Sequence, residues 1–567
     1  MDNYAIADNF SLLSKLMDIH GDNSFKAKTY SIAAFNIENL PVQISDTPRE
    51  KLFSLKGIGE SVGSKVIEML DTGNLAVLQD YISRTPAGVI EMLNIKGIGP
   101  KKIHTIWKQM EVESLGELLY ACNENRLTLF KGFGEKTQQN VQEAIEFYFQ
   151  NQGSFLYAQI DEVFTQVDGY LKKLFSPEKV HVTGAFRRQE LVIHELDFVI
   201  LEKNETIKPK FQTAHPPELL EETISSLLYR LKNGLKLRLH TGEKGMAERL
   251  FLTSGSPAFL GAFQAAYPAI TYAVTDTPDD ESVFAEAGLC YIPAYRREFP
   301  SILQKAKDPL PLPLQPCDVK GVIHTHSNWS DGIYTIEDMA KECMGKGFEY
   351  LVISDHSKAA AYAKGLTEER IREQHRYIDE LNQRFTPLPD GRPSFKIFKS
   401  IECDILNDGS MDYTDDILAT FDLVIASVHS NLKMTEEKAM ARLLKAISNP
   451  YTAILGHMTG RLLLSRKGYP VDHRAIIDAC AAHEVAIELN AHPRRLDMDW
   501  EWIEQAMEKN VLISIDPDAH NLEGFGDIRY GVLAAQKGGL TKERNLSSFS
   551  LQEFEAWLQQ RKQRKNL

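Results

Sequence analysis

The sequence lacks paired cysteines, long apolar runs and a secretion signal. Its six cysteines are scattered and form no CxxC pair, which is typical of a protein in a reducing compartment. No apolar run reaches the roughly 18 residues that a membrane span needs. The amino-terminal segment MDNYAIADNF is acidic and lacks the basic, apolar and small-residue order of a signal peptide. These absences predict a cytoplasmic protein without a membrane partner.

The sequence also lacks an excess of positive charge. It has 64 Lys and Arg residues and 78 Asp and Glu residues, so its net charge is −14. This balance argues against a chain that wraps nucleic acid over its whole surface. Local phosphate sites remain open, because helix amino termini bind phosphate without net positive charge. The 567 residues, 43% hydrophobic and 25% charged, predict a globular protein of three or four domains.

Seven apolar, strand-like runs follow one another between Val322 and His520, and stretches able to form helices separate them. The runs are 322–326, 350–356, 397–402, 423–429, 453–457, 485–490 and 511–520. Such alternation predicts parallel strands with helical crossovers, buried on both faces. Side chains at the carboxyl ends of parallel strands gather at one end of the fold.

Six of these runs end in imidazole or carboxylate side chains. The candidates are His324, His326, Asp331, His356, Glu402, His429, His457, Asp518 and His520. A lone histidine at a strand end is usually a hydrogen-bonded core residue, but six aligned strand ends make that explanation poor. Imidazoles with carboxylates suit zinc, manganese or iron, and neighbouring metals can activate water against a phosphoryl group. The carboxy-terminal half is therefore predicted to be a multinuclear metallohydrolase.

Three short segments near the amino terminus repeat one pattern, in which GhG (h is apolar) precedes an amphipathic helix. They are LKGIGESVGSKVI (55–67), IKGIGPKKIHTIW (95–107) and FKGFGEKTQQNV (130–141). The glycines permit a tight turn, and the start of the next helix presents free N–H groups to a phosphate. A single copy would be a bare turn, but three copies of this helix-hairpin-helix pattern favour sequence-independent DNA contact. The predicted contacts are Gly57, Gly59, Gly97, Gly99, Lys101, Gly132 and Gly134.

The proline-rich segment DPLPLPLQP (308–316) marks the clearest boundary and predicts an extended spacer. Residues 1–150 are helical in pattern. Residues 151–300 mix strand-like runs with stretches that look helical, such as PPELLEETISSLLYRLKN (216–233).

The motifs of the carboxy-terminal half resemble those of the PHP (polymerase and histidinol phosphatase) domain. They are VIHTHSNWSDG, ISDHS, IECDILNDGSMDY, ASVHS, LGHMTGRLL and DAH. The resemblance implies a distorted seven-stranded (β/α) barrel with a trinuclear site. It places His324, His326, Glu402 and Asp518, the expected catalytic centre, on one metal. Glu402 would bridge to a second metal bound by His429 and His457, and Asp331, His356 and His520 would hold the third. Arg461 is left as either a phosphate contact or a surface ion pair, and His492 as a rim residue.

The amino-terminal half resembles a bacterial family X DNA polymerase, on the segments FKAKTYSIAAF, VTGAFRRQE, LDFVI and AGLCYIPAYRRE. The fold implied is multidomain α+β and α/β, with a helix-hairpin-helix region, a nucleotidyltransferase-like palm and thumb, and the barrel. The domains implied are a small helical DNA-binding domain (1–85), a fingers-like region (86–150), the palm (151–235), a thumb-like region (236–307), the linker (308–316) and the PHP domain (317–567).

The palm departs from the family pattern at the positions that hold magnesium. The family uses three aspartates, whereas Glu195 and Asp197 form the first pair here and Lys236 is predicted at the third position. Ala185 and Gln189 also differ from the family. Arg187 and Ser256 are the remains of the nucleotide site. Losing a metal ligand costs orders of magnitude in rate, so we expect a palm that holds DNA and uses magnesium only if it is still active.

The function predicted is a 3′–5′ exonuclease for gapped, nicked or 3′-recessed DNA, acting as a monomer. Three alternatives are a gap-filling polymerase with a proofreading barrel, a small-molecule phosphatase of the histidinol-phosphate type, and a non-catalytic protein that binds DNA ends. Lys65 matches the lysine of the family that forms a Schiff base with an abasic site, but an ordinary phosphate-facing lysine is the preferred interpretation.

Overall fold

The chain divides into two units, Met1–Gln152 and Gly153–Leu567. The computed structural model describes residues 1–55, 57–123, 127–150, 153–211, 216–270, 279–385, 395–464 and 467–567. Within these ranges, no helix combines the length and the apolar character needed to cross a membrane.

The first unit is helical, as the sequence predicts. Its helices are α1 (Asn3–His20), α2 (Ser24–Glu38), α3 (Arg49–Leu52), α4 (Glu60–Thr72), α5 (Ala76–Arg84), α6 (Ala87–Glu91), α7 (Pro100–Lys108), α8 (Leu115–Asn123) and α9 (Glu135–Gln150). Helix α1 begins where Asp2 accepts a hydrogen bond from the Ala5 N–H, and it ends at Gly21 in the left-handed conformation. It packs against α2, with the rings of Phe10 and Tyr30 stacked at 5.7 Å.

The second unit starts with a five-stranded palm sheet, in the order β2-β4-β7-β6-β5. The elements of this region are β1 (Phe155–Leu156), α10 (Tyr157–Phe175), β2 (Val180–Thr183), α11 (Gly184–Arg187), β3 (Val192–Ile193), β4 (Glu195–Ile200), α12 (Asn204–Lys210), β5 (Glu218–Thr223), β6 (Ser226–Arg230) and β7 (Lys236–Thr241). Strands β4 and β7 are parallel, and the other three pairings of this sheet are antiparallel.

Two expectations for this region are wrong. Residues 216–233 look helical in sequence, but 218–230 form the hairpin β5–β6, because residues 226–229 are buried and pair with β7. The palm does not end at residue 235, since β7 lies in the middle of its sheet. The thumb helices follow as α13 (Met246–Thr253), α14 (Pro257–Ala266), α15 (Glu281–Glu286) and α16 (Ile302–Lys305).

Residues 309–315 of the proline-rich segment have no regular secondary structure, and Pro316 begins a short 3-10 helix, Pro316–Asp318. The segment is nevertheless attached to the barrel. Leu314 is 1% exposed and belongs to the barrel's hydrophobic core. Its carbonyl accepts a hydrogen bond of 2.7 Å from Gln536. The segment therefore anchors the barrel instead of acting only as a spacer.

Seven parallel strands form the barrel, in the sequential order β8 to β14. They are β8 (Gly321–Thr325), β9 (Tyr350–Ile353), β10 (Lys396–Asp404), β11 (Leu423–Ser427), β12 (Thr452–Leu455), β13 (Ala486–Asn490) and β14 (Ile513–Asp516). A bridge between Thr325 and Ala519 connects the two edges, and the His326 N–H donates to the Ala519 carbonyl at 2.9 Å. The predicted seven-stranded barrel is confirmed, and it is nearly closed.

The crossovers of the barrel are largely helical. Its helices are α17 (Ile336–Gly345), α18 (Glu368–Phe385), α19 (Asp415–Leu418), α20 (Glu436–Ser448), α21 (His473–Ala482), α22 (Ile503–Glu508), α23 (Ile528–Gly538) and α24 (Leu551–Lys565). Phe554 and Leu558 of α24 pack with Ile323 and Tyr350 in an apolar cluster that draws on most of the strands. This cluster leaves the opposite, carboxyl ends of the strands for polar side chains.

Candidate functional site

The nine side chains predicted as metal ligands lie together at the carboxyl ends of the barrel strands. Glu402 of β10 is at the centre and is fully buried. Its Oε1 lies 3.2 Å from His324 Nε2, 3.1 Å from His429 Nε2 and 2.9 Å from His457 Nε2. Its Oε2 lies 2.9 Å from His356 Nδ1. One carboxylate thus contacts four imidazoles, as a carboxylate that bridges metals would.

Two further carboxylates complete the cluster. Asp518 Oδ1 lies 3.1 Å from His326 Nε2 and 3.6 Å from His324 Nε2. Asp331 lies 3.5 Å from both His356 and His520, measured from its carboxylate oxygens to their Nε2 atoms. Three groups have donor atoms within 4.8 Å of one another: His326, Asp331, His356 and His520; His324, His326 and Asp518; and His356, Glu402 and His429.

Two of these side chains reach the site through strained backbone. His324 has φ of 60° and Asp518 has φ of 52°, in the left-handed region that side chains rarely adopt. The pairing of β8 with β9 shifts register between Val322 and Thr325, which surrounds His324. Simple strand alternation is therefore not what brings His324 and His326 together.

Two residues that orient the ligands, Glu488 and Asp404, were not predicted from the sequence. Glu488 of β13 is fully buried and contacts His324 Nδ1, and its other oxygen accepts from the His457 N–H at 3.0 Å. Asp404 Oδ1 lies 2.9 Å from His429 Nδ1. Such partners fix the tautomer and the direction of a ligating imidazole. Glu488 lies in the one strand-like run that carried no predicted ligand, whereas Asp404 follows Glu402 by two residues and could have been noticed.

The electrostatics of the site favour cations. Burial alone would raise the pKa of Glu402 and Asp518, but the surrounding imidazoles hold the pKa of both carboxyls well below the usual range. Burial and neighbouring histidines lower the pKa of His326 to about 3, so this imidazole is neutral. Although burial opposes it, Glu402 raises the pKa of His356 to about 10 and that of His429 to about 9. Ionised carboxylates therefore create a negative potential that suits divalent metals.

The donor set fits metal ions. His324 Nε2 and His326 Nδ1 are buried, and neither has a hydrogen-bond partner of good geometry in the described part of the chain. Buried polar atoms left in this way are costly unless a ligand satisfies them. Imidazole nitrogens and carboxylate oxygens are ligands for zinc, manganese and iron, so the site suits any of these three metals.

Two arginines at the rim of the site, Arg495 and Arg461, differ in how fully the protein itself engages their guanidinium groups. Arg495 Nε lies 3.5 Å from Asp518 Oδ2, and the Arg495 side chain is 20% exposed. Arg461, a candidate phosphate contact, instead pairs with Asp499 and donates to the Arg495 and Leu496 carbonyls. His492 is partly buried near these arginines, and burial lowers its pKa.

The carboxylates of the palm are held by cationic and imidazole side chains of the neighbouring strand. Arg238 Nε lies 2.6 Å from Glu195 Oε2, and His240 Nε2 lies 3.1 Å from Asp197 Oδ1. Lys236 shares this face and is in register with Glu195, but it is Arg238 that contacts the carboxylate. Lys236 at the third metal position stays a prediction, and the structure shows that Arg238, two residues further along the same strand, is the basic side chain that contacts Glu195. The contact between Arg238 and Glu195 depends on strand register, which the sequence does not show.

The two residues expected to remain from a nucleotide site are engaged elsewhere. Arg187 forms a bidentate pair with the fully buried Asp280, at 2.9 and 3.0 Å. The Ser256 hydroxyl caps α14 by accepting from the Phe259 N–H, and it donates to the Glu298 carbonyl. Burial would raise the pKa of Asp280, but Arg297 and Arg187 hold it well below the usual range. Both residues are thus part of the palm–thumb structure.

The three hairpins of the first unit share one backbone geometry. Gly57, Gly97 and Gly132 have φ of 84°, 93° and 94°. The second glycines, Gly59 and Gly99, are the N-caps of α4 and α7, and no side chain caps either helix. The first N–H groups of these helices are therefore left without a side-chain cap, as a phosphate site at a helix amino terminus requires. Gly134 immediately precedes α9, and Lys101 is exposed in the first turn of α7.

Lys65 lies on α4, with its Nζ 5.8 Å from the centre of the Tyr30 ring. Its side chain is half-buried. This placement is compatible with both interpretations of the residue, a phosphate contact and a Schiff-base lysine.

Three domain families match the sequence. A helix-hairpin-helix domain covers residues 1–75, a SAM-like helix-hairpin-helix tandem covers residues 89–146, and a PHP domain covers residues 323–520. The fold and the site therefore define a protein that joins helix-hairpin-helix modules to a PHP barrel.

One relative spans nearly the whole chain. It is the "DNA polymerase/3′-5′ exonuclease PolX" of Bacillus subtilis (strain 168), 30% identical over 571 residues that cover 96% of each protein. The chain belongs to the family X DNA polymerases that carry a carboxy-terminal PHP domain. The resemblance seen in the sequence motifs is confirmed.

Shorter relatives match as well. A "probable phosphatase" of Thermoanaerobacter sp. (strain X514) is 26% identical over 236 residues, 40% of this chain and 89% of that protein. A "probable phosphatase" of Yersinia enterocolitica is 31% identical over 175 residues, 30% of this chain and 62% of that protein.

Proposed function

We propose that this chain is a metal-dependent 3′–5′ exonuclease that acts on DNA ends through its PHP barrel. Its substrate is gapped, nicked or 3′-recessed DNA, and its cofactors are three divalent ions of manganese, zinc or iron. The palm and thumb hold DNA and add nucleotides weakly or not at all. The protein acts as a monomer.

The observation that carries this proposal is the contact of Glu402 with four imidazoles in one largely buried cluster. His324, His326, Glu402 and Asp518 would hold one metal. Glu402, His429 and His457 would hold the second, and Asp331, His356 and His520 the third. Metals bound in this way activate water and neutralise the charge of a phosphoryl group.

The protein's own residues support phosphodiester chemistry in two ways. Glu488 and Asp404 hold the rings of His324 and His429 toward Glu402. The Arg495 guanidinium lies beside Asp518, with one nitrogen near the carboxylate and further donors that can bind a non-bridging phosphate oxygen. The open N–H groups of the hairpins support DNA, rather than a small phosphate ester, as the substrate. The shorter phosphatase relatives leave more than half of this chain unmatched.

The palm is proposed to be inactive because its carboxylates are neutralised from within the protein. A guanidinium beside Glu195 places positive charge where polymerisation needs a magnesium ion. Arg187, expected at the triphosphate, is held by Asp280. The Bacillus subtilis relative is named as a DNA polymerase as well as an exonuclease, which makes an active gap-filling polymerase the second candidate.

A gel assay on a 5′-labelled primer–template with manganese, with and without dNTPs, tests both the exonuclease proposal and the polymerase alternative. We expect the wild type to shorten the primer and the His324→Ala/His326→Ala variant to leave it intact. Primer extension by the wild type would show a working palm and contradict its proposed inactivity. Shortening that persists in the double variant would place the nuclease outside the barrel. Release of phosphate from small esters without shortening would favour a phosphatase.

A further inference from the structure

His492 lies at the rim of the metal site, and the proposed function gives it no role. It follows the end of β13 by two residues, at the end of the barrel where the strands carry the predicted ligands. The charges of Asp518 and His520 act on its ring, but within the ranges that the structure describes His492 contacts neither of them. The ring is therefore near the metal cluster and outside the set of predicted ligands.

The backbone of His492 is held on both sides. Its N–H donates to Asn490 Oδ1 at 3.1 Å, and its carbonyl accepts from the Arg495 N–H at 2.7 Å and the Leu496 N–H at 3.1 Å. Asn490 is fully buried, and its Nδ2 donates to Asp518 Oδ2 at 3.1 Å. His492 is thus attached to the same amide side chain that contacts a predicted metal ligand.

The surroundings of the ring decide which nitrogen carries the proton. The Arg494 N–H donates to His492 Nδ1 at 3.2 Å, so Nδ1 is an acceptor. Burial lowers the pKa of His492 below its ordinary value of 6.5, although Asp518 opposes the shift, so the ring is neutral at pH 7. Its single proton is therefore on Nε2. This N–H has no hydrogen-bond partner among the residues that the structure describes, and the side chain is partly exposed.

This arrangement argues against His492 as a further metal ligand. A ring that binds a metal through Nε2 carries its proton on Nδ1, where it would face the Arg494 N–H, donor against donor. An anionic oxygen, in contrast, accepts from the Nε2–H without any change in the ring. The Arg495 guanidinium, with Nε 3.5 Å from Asp518 Oδ2, adds further donors beside the same carboxylate.

We propose that His492 is a substrate-binding residue whose Nε2–H donates a hydrogen bond to a phosphate oxygen of the DNA strand that enters the metal site. Arg495 provides a second donor to the same phosphate group. The ring positions the phosphate and neither gives it a proton nor takes one from it. The inference rests on the proposed function in taking a phosphodiester as the ligand.

Titration calorimetry with dTMP and the manganese-loaded, full-length protein tests this contact without turnover, because dTMP has a 5′-phosphate and no phosphodiester bond. His492→Ala should bind dTMP about 10-fold more weakly, since a hydrogen bond to a charged oxygen is lost. His492→Gln should keep most of the affinity, because its amide N–H reaches about as far as Nε2. Arg494→Gln keeps the backbone N–H that holds the ring, and it should bind like the wild type.

Two further measurements separate this role from a structural one. The manganese content of both His492 variants should equal that of the wild type. In the primer assay, His492→Ala should raise KM about 10-fold with kcat nearly unchanged, and His492→Gln should restore KM.

The proposal is overturned if His492→Ala binds dTMP like the wild type, if it loses manganese, or if His492→Gln binds dTMP as weakly as His492→Ala. A wild type that shortens the primer while His492→Ala keeps its dTMP affinity would contradict this inference alone. A wild type that leaves the primer intact, with dTMP binding that still depends on His492, would contradict the exonuclease proposal alone.

Discussion

The guanidinium of Arg238 lies against the carboxylate of Glu195, with Nε 2.6 Å from Oε2 and Nη2 3.3 Å from Oε1. The two side chains come from parallel neighbouring strands of the palm and are both mostly buried. This pair neutralises the Glu195 carboxylate from within the protein. On the proposal of an inactive palm, this ion pair occupies the face that would otherwise bind magnesium.

Removal of Arg238 tests whether its ion pair with Glu195 prevents Mg²⁺ from binding to the palm. In Arg238→Ala, Glu195 loses its bidentate partner, and Asp197 on the same face keeps its contact with His240. We expect a loss of about 1–2 kcal/mol in stability and a larger rise of Tm on adding Mg²⁺ than the wild type shows. Differential scanning fluorimetry measures both. Arg230→Ala, which breaks an exposed pair with Glu218 in the same sheet, is the control. Equal Mg²⁺ responses in all three proteins would contradict the prediction.

Glu488 should affect metal affinity without being a ligand. Its carboxylate contacts His324 Nδ1 and keeps Nε2 of that ring directed at Glu402. Glu488→Gln should therefore weaken Mn²⁺ binding about 10–100-fold and leave the fold intact. Calorimetric titration of the metal-free protein measures the affinity, and circular dichroism checks the fold. Glu484→Gln is the matched control, because it lies just before the same strand and pairs at the surface with Arg564. Unchanged affinity in Glu488→Gln would show that His324 needs no orienting partner.

Much of the barrel could be predicted because its strands and its ligands carry one joint pattern. Each of six buried runs ends in a histidine or an acid, and the carboxyl ends of parallel strands meet. Glu488 could not be predicted in the same way, since a carboxylate inside a buried strand gives no sign of which ring it contacts. The backbone conformation of His324 could not be predicted either, since its φ of 60° departs from that of a regular strand.

The palm shows where sequence pattern is insufficient. Lys236 and Arg238 are both basic and lie on one face of β7, so periodicity cannot tell which of them meets Glu195. The segment 216–233 has a helical composition, and its hairpin exists because residues 226–229 fill the sheet beside β7. In both cases the pairing with neighbouring strands of the sheet, rather than the local sequence pattern, determines the structure.

Arg495 should bind substrate rather than metal. Its guanidinium lies beside Asp518 at the rim of the site and is partly exposed. Arg495→Gln should raise KM and lower kcat/KM about 10–100-fold, because a charge-assisted contact to a phosphate oxygen is lost. Metal content measured on the same sample should not change. Arg494→Gln, an exposed neighbour, is the control. A loss of bound metal in Arg495→Gln would show that Arg495 supports the ligands instead.

Glu190 should make the contact between the palm and the barrel depend on pH. Lys537 of the barrel is fully buried, and its Nζ lies 3.4 Å from Glu190 Oε1 and 3.0 Å from Glu298 Oε1. Burial raises the pKa of Glu190 to about 7, helped by Glu298 and opposed by Lys537. A raised carboxyl pKa stabilises the folded state below the unfolded value of 4.5, and this contribution is lost as pH rises through about 7.

Glu190→Gln cannot ionise, so its stability relative to the wild type should improve as pH rises. From about pH 5 to about pH 8 we expect a relative gain on the order of 1–3 kcal/mol. Thermal unfolding at a series of pH values measures it. Gln189→Ala removes the hydrogen bond to Gln536 at the same contact without a titrating group, so its effect should be constant with pH. A Glu190→Gln difference that does not change with pH, or that reverses in sign, would mean that Glu190 is ionised throughout and that Lys537 pairs with it fully.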